Sequence, residues 1–177
     1  MSRIASKPIK FESSINTEIK GDEIILKNSK GELSVKIVTG IKVKVESGEI
    51  TIDRESDLYK ANQGLVWSLV NNAVIGLSTG YTRKVEIVGK GWRSEVKGDS
   101  INLQVGYSHP VVFKLPKGVT ATQENPGQFI LSSIDKQQLG QVCADIQKIR
   151  PVEPYKLKGI RLEGQYLRKK VRKTAGV

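Results

Sequence analysis

The sequence predicts an α+β protein made of two tandem, internally duplicated units, each an antiparallel sheet with one helix packed on a face, followed by a basic C-terminal extension. Three observations carry that reading. The segment Ile19-Lys20-Gly21-Asp22-Glu23-Ile24 recurs 77 positions later as Val96-Lys97-Gly98-Asp99-Ser100-Ile101, and each copy reads as a tight glycine turn between short strands. After each copy, runs that alternate apolar and polar residues give way to a stretch whose apolar residues return every three or four positions. Charge is also unevenly placed. Of the net +11, residues 1–146 hold 19 bases and 16 acids, whereas residues 147–177 hold 10 bases and 2 acids.

In the first unit, Ile24/Leu26, Leu33/Val35/Ile37, Ile41/Val43/Val45 and Ile50/Ile52 keep the period of two, with Ser47-Gly48 splitting the last pair into a hairpin. A helix follows, with Leu58, Ala61, Leu65, Leu69, Ala73 and Leu77 as its expected apolar stripe, Ser56 as N-cap and Gly80 just past its end. In the second unit the strands are Ile101/Leu103/Val105, Val111/Phe113/Leu115 and Phe129/Leu131, punctuated by Gly118 and Pro126-Gly127. Its helix carries the stripe Leu139, Val142, Ile146 and Ile149, with Asp135 as candidate cap and Pro151 forbidding continuation. A one-faced sheet needs a cover and a one-faced helix a floor, so each helix is expected on its own sheet. The expected divisions are 1–81 for the N-terminal unit, 82–150 for the C-terminal unit and 151–177 for the extension, with the units joined near Tyr81 to Lys84.

Composition argues against several kinds of chemistry. Cys143 is the lone cysteine and His109 the lone histidine, which excludes an intrachain disulfide and zinc sites built on those ligands. No apolar stretch reaches the roughly 18 residues of a membrane helix, and Met1 to Phe11 shows no signal core. His109 beside Pro110 reads as a loop histidine, since a Ser108–His109 pair lacks a separate orienting carboxylate. Cys143 lies on the apolar side of its helix and reads as packing. Glu46, Glu49, Asp53, Glu55 and Asp57 scatter over exposed positions without pairing as acid and base. No catalytic residue, metal, cofactor, small-molecule substrate or membrane partner is therefore expected.

The basic balance points to a polyanion. Gly89-Lys90-Gly91-Trp92-Arg93 lacks the spacing of a nucleotide-binding loop but offers two cations and a large ring, suited to phosphates and an unstacked base; alternatively Trp92 fills the core. From Arg150 onward, prolines and glycines block a regular helix while Lys156, Lys158, Arg161, Arg168, Lys169, Lys170, Arg172 and Lys173 recur along the strip. Extended backbone can track phosphates, and Tyr155 and Tyr166 can accept splayed bases. The embedded Leu157, Ile160, Leu162 and Leu167 favour docking over a free solvated tail.

Longer motifs add a resemblance. Met1-Ser2-Arg3-Ile4 with Lys7-Pro8-Ile9, Gly76-Leu77-Ser78-Thr79-Gly80-Tyr81, Val105-Gly106-Tyr107-Ser108-His109-Pro110-Val111, and Asp135-Lys136-Gln137 through Gly140-Gln141 occur in order. So do Arg150-Pro151, Glu153-Pro154-Tyr155-Lys156, Lys158-Gly159-Ile160-Arg161 and Gly164. Across almost its whole length the chain resembles the bacterial-type large-subunit ribosomal protein six family. That resemblance implies a structural ribosomal protein that binds large-subunit (23S-type) ribosomal RNA near the stalk base, the factor-binding region and the subunit interface, beside neighbouring ribosomal proteins. It implies RNA contact by Arg150, Tyr155, Lys156, Lys158, Arg161 and Lys169. The Gly89–Arg93 loop and the Ser108-His109 turn match positions that face RNA or shape the second unit. A cytoplasmic bacterial ribosome or an organellar one is the implied location. The chain departs from the family pattern at Ala5, Val152, Leu157, Gln165 and its last residues, with Leu157 standing where the family carries glycine. The alternative reading is a protein-interaction adaptor within a ribonucleoprotein, in which the first unit docks a neighbour and RNA binding is secondary.

Overall fold

A computed structural model of the chain describes residue 5 and residues 7–46 and 48–171. The fold divides into two compact units, one running to Tyr81 and including Ile134–Lys136, the other holding Thr82–Ser133 and the chain from Gln137 onward. The α+β class holds: among the described residues each unit has one α-helix, although it contains two small sheets rather than one.

In the first unit, strands β2 (Asn16–Lys20), β3 (Glu23–Asn28) and β4 (Gly31–Lys36) form one sheet. Strands β1 (Ile9–Lys10), β6 (Glu49–Arg54) and β5 (Ile41–Glu46) form the other, in that order. Helix α1 (Lys60–Ser78) follows a one-turn 3-10 helix at Asp57–Tyr59. Ile24, Leu26, Ile50, Val66, Val70 and Leu77 are completely buried in this unit's core. Of the predicted Ser47-Gly48 turn, Ser47 lies outside the described residues; Gly48 has φ +92° and its carbonyl accepts the Phe11 amide at 3.0 Å.

The duplicated turns have matching registers. Ile19 faces Ile24 and Lys20 faces Glu23 across the first, while Val96 faces Ile101 and Lys97 faces Ser100 across the second. Gly21 and Gly98 take φ +57° and +55°, the left-handed backbone that a two-residue hairpin turn demands and glycine adopts without a Cβ penalty.

The C-terminal end of α1 behaves as the local signal predicts, whereas its first residue follows Tyr59, which makes no side-chain capping bond, and the expected cap Ser56 serves the preceding 3-10 turn instead. The Ser56 hydroxyl accepts the Leu58 amide, and Gly80, at φ +81°, donates to the Ile75 carbonyl at 3.2 Å. The buried face of α1 differs from the predicted stripe. Val66, Val70, Ala73, Val74 and Leu77 point inward, whereas Leu58 is 89% exposed and Leu65 50%. Leu58 precedes α1 in the 3-10 turn and is out of phase with it. The helix also carries only one charged residue, Lys60, so no polar stripe marks its outer side.

In the second unit, β8 (Arg93–Lys97), β9 (Ser100–Gln104) and β10 (Val111–Lys114) form a three-stranded sheet. The other sheet runs β11 (Val119–Asn125), β12 (Gln128–Ser133), β7 (Tyr81–Val88) and β13 (Gly159–Leu162). Helix α2 (Lys136–Ile149) buries Leu139, Val142, Cys143 and Ile146, and it stops before Pro151 as predicted. Ile149, the last member of the expected stripe, is only partly buried. The expected joint near Tyr81 to Lys84 is the first half of β7, an eight-residue strand.

The boundary drawn at residue 151 meets a different arrangement. Residues 159–162 form β13 and pair antiparallel with β7, setting Ile160 opposite Ile87. Ile160 is 1% exposed, so the segment read as an extension contributes to the second unit's core. Its apolar residues dock because a strand can satisfy its backbone and bury alternate side chains on an existing edge.

Candidate functional site

Among the described residues, the second unit has a strand, β13, without a counterpart in the first, and it sets the geometry of the basic segment. From the end of α2 the chain turns back on itself. The Ile160 amide donates to the Arg150 carbonyl at 3.0 Å, the Glu153 amide to the Lys158 carbonyl at 2.8 Å, and the Leu157 amide to the Glu153 carbonyl at 2.9 Å. Gly159 makes this close return possible. At φ +150° it brings its Cα so near residues 151 and 152 that a Cβ would lie 2.5 Å from the Val152 Cα. Leu157 takes φ +57°, the one left-handed non-glycine residue among the described residues. Glycine would adopt this backbone freely, so the turn is made here at the steric cost of a side chain.

The tail beyond β13 is also tied down. The Glu163 amide donates to the Lys84 carbonyl at 3.0 Å and the Lys170 amide to the Pro154 carbonyl at 2.9 Å. The Gln165 side-chain oxygen accepts from Gln147 at 2.8 Å and from the Leu162 amide at 3.2 Å. Lys84 bonds Glu124 at 2.7 Å on β11, and that bond raises the Lys84 pKa.

The structure sorts the cations predicted to bind. Lys90, Lys156, Arg168, Lys169 and Lys170 are exposed, and none joins an ion pair among the described residues. Lys158 is partly buried and also lacks an ion pair there. Arg161 is different, because its guanidinium donates to Glu86 at 2.8 Å across the β13–β7 pair. Its charge is largely spent inside the sheet. Arg93 donates to the Gln104 side chain at 2.6 Å. His109 is exposed, with Nδ1 3.4 Å from the Ser108 hydroxyl. Arg172 and Lys173 lie outside the described residues. Tyr155 is 43% exposed and Tyr166 90%.

Trp92 neither fills the core nor stands free. It is half-buried and lies against two glycines, where a Cβ on Gly89 would come within 2.3 Å of its ring and one on Gly106 within 3.0 Å. The Arg150 guanidinium lies 5.6 Å from the Trp92 ring centre and 5.1 Å from that of Tyr107. Tyr107 in turn donates its hydroxyl to the Ile149 carbonyl at 2.8 Å. Sequence reasoning assigned Tyr107 no role. Its place in the Val105–Val111 motif was visible, but its contact with the end of α2 spans 42 residues.

A shallow cleft of about 410 Å³ opens beside α2, lined by Arg83, Gly140, Cys143 and Ala144 together with the Leu162–Gln165 turn. Cys143 is 2% exposed, and burial pushes its thiol pKa up, partly opposed by the Arg83 charge. A thiolate is therefore disfavoured in the fold. Native protein is expected to react with a thiol reagent only through opening of the second unit, at least about a hundredfold more slowly than the urea-unfolded chain; equal rates would contradict this burial. Since the folded pKa is the higher one, the thiol's contribution to stability is complete at neutral pH. It is lost as pH rises through the alkaline range in which an exposed cysteine ionises.

Among the described residues, no group of three or more His, Cys, Asp or Glu side chains is placed to hold a metal ion, and no helix is long and apolar enough to cross a membrane. The fold and surface thus define a two-unit α+β protein that presents cations and rings on one ordered loop and tail. The family model for ribosomal protein L6 matches residues 12–80 and 88–163, one match for each unit. Similar proteins named large ribosomal subunit protein uL6 come from Rubrobacter xylanophilus (41% identical, covering 98% of this chain and 99% of that protein), Hahella chejuensis (40%, 96% and 97%) and Koribacter versatilis (42%, 98% and 98%). The chain belongs to the ribosomal protein L6 family, a family of structural proteins and not of enzymes.

Proposed function

We propose that the protein is a structural constituent of the large subunit of a bacterial, cytoplasmic ribosome, and that it binds large-subunit ribosomal RNA near the stalk base, the factor-binding region and the subunit interface, beside neighbouring ribosomal proteins. One observation carries the RNA reading. Lys156, Arg168, Lys169 and Lys170 are exposed and without ion pairs among the described residues, on a loop and tail that β13 and the Lys170–Pro154 bond hold against the second unit. Ordering these cations before binding removes an entropic cost that a free tail would incur on contact. Tyr155 and Tyr166 add faces for unstacked bases.

Replacing Lys156, Arg168, Lys169 and Lys170 together with serine leaves the strand in place and tests charge alone. In filter binding to a transcribed large-subunit RNA fragment, the slope of log affinity against log salt is expected to fall by about three, at roughly 0.7–0.9 per lost phosphate contact. An unchanged slope and affinity would overturn the reading.

The adaptor alternative has its own observation. Leu58, Leu65 and Ile75 are 89%, 50% and 38% exposed on or beside a helix with a single charge, a surface suited to an apolar protein neighbour and poorly suited to phosphates. Under that reading, Leu65→Lys would displace a protein from reconstituted particles while leaving the affinity for naked RNA unchanged.

A further inference from the structure

We propose that Arg150 is a prebuilt phosphate fork whose geometry is set by Trp92 and Tyr107, so that these two rings act as positioning residues for one RNA phosphodiester. This deepens the RNA-binding reading and rests on it. Arg150 stands at the junction of α2 and the basic loop, the place where the C-terminus of a helix favours a cation. Its guanidinium lies over both rings, at 5.1 Å and 5.6 Å from their centres. Among the described residues it has no carboxylate partner, in contrast to Arg161 with Glu86. Contact with ring faces holds a guanidinium without using its N–H donors, and no side-chain hydrogen bond engages those of Arg150 among the described residues. Two parallel N–H donors match two oxygens of a phosphate.

Each ring is itself fixed. Trp92 is seated on Gly89 and Gly106, where a side chain would collide with it, and Tyr107 is tethered through its hydroxyl to the Ile149 carbonyl, one residue before the arginine it faces. Lys156 and Lys158 lie on the same backbone return, which the Arg150 carbonyl closes by accepting the Ile160 amide. Their charge favours an anion here and disfavours a further cation. Successive phosphates of one RNA strand can serve the fork and the two lysines on this return together, whereas an isolated protein carboxylate offers a single anion.

The test is a double-mutant cycle on binding of the transcribed RNA fragment, with each variant's fold checked by its thermal transition. Arg150→Lys keeps the charge but not the planar fork, and it is expected to lose about tenfold in affinity, as is Arg150→Gln. Tyr107→Leu is expected to lose about fivefold with little change in salt slope, because the cation remains but is no longer aimed. Tyr107→Phe, which keeps the ring but not its tether to the Ile149 carbonyl, should recover part of that loss. In the Arg150→Gln background, Tyr107→Leu should cost nothing further. Full additivity of the two losses, or an Arg150→Lys variant that binds like the parent, would overturn the inference. Inorganic phosphate at millimolar concentration is expected to weaken RNA binding by the parent more than by Arg150→Gln, because only the parent offers it the fork; equal competition at matched ionic strength would count against a phosphate site at Arg150. If the parent chain bound RNA without salt dependence, the broader reading would fail instead. If it bound with the expected slope and only the Arg150 variants were silent, the fork alone would be wrong.

Discussion

A chain ending at Arg150 is expected to lose the cooperative unfolding transition of its second unit while the first unit keeps its own. Removing residues 151–177 takes away β13, and with it the strand that pairs with β7 from Val85 to Val88. Ile160 is 1% exposed and Ile87, opposite it, is 8% exposed. Truncating a buried isoleucine to alanine alone costs about 2–5 kcal/mol. The Arg161–Glu86 ion pair would also go, leaving Glu86, whose side chain is 18% exposed, without its charged partner. Against a domain stability of roughly 5–15 kcal/mol these losses are decisive.

The measurement can be made specific to each unit, because Trp67 lies in the first and Trp92 in the second. With Trp67→Phe as background, fluorescence of Trp92 should lose its sigmoidal urea transition in the truncated chain. Ile160→Ala in the full chain should shift that midpoint downward by the cost above. A truncated chain that still unfolded at the parent midpoint would show β13 to be dispensable. It follows that deleting the tail cannot separate RNA contact from folding, which is why the charge substitutions leave Gly159–Leu162 untouched.

Gly76→Ala is expected to destabilise the first unit by about 3 kcal/mol or more. Gly76 is buried on α1, and a Cβ there would meet the Ile134 carbonyl oxygen at 1.9 Å, with the Tyr81 ring at 3.3 Å. Alanine normally improves a helix interior by about 1 kcal/mol over glycine. Here overpacking opposes that gain, and the obstacle is backbone that cannot swing aside as a side-chain tip would. At about 4–8 °C per kcal/mol for a unit of this size, the midpoint should fall by roughly 12–24 °C. Gly64→Ala is the natural control. It lies on the same helix with nothing within 4 Å of its Cβ position, so it should be neutral or stabilising. Equal midpoints for the two variants, read by Trp67 in a Trp92→Phe background, would refute the close approach.

The features legible in the sequence were those set within a few residues. A Gly-Asp turn needs only its own backbone and the strands beside it, so both copies could be read, and the stop at Pro151 and the glycine at Gly80 are equally local; Ser56 was legible as a cap, but of the 3-10 turn that precedes α1. The buried face of α1 was not legible, because Leu58, Ala61, Leu65 and Leu69 recur at helical spacing as convincingly as Val66, Val70 and Val74. With one charge in the helix, hydrophobicity alone did not discriminate between two apolar faces. Likewise β13 is four residues inside a cationic run, and its strand character comes from a partner 75 residues away, where Arg161 meets Glu86.

By itself, then, the sequence determined the α+β class, the duplication, the C-terminal ends of the helices and the concentration of charge after residue 146. The tertiary structure alone decided which cations remain available. Arg161 is consumed by Glu86 and Arg150 lies over the rings of Trp92 and Tyr107, while Lys156, Arg168, Lys169 and Lys170 stay exposed and without ion pairs among the described residues. A charge is countable along the chain, but whether it is neutralised depends on what folding brings within about 4 Å of it.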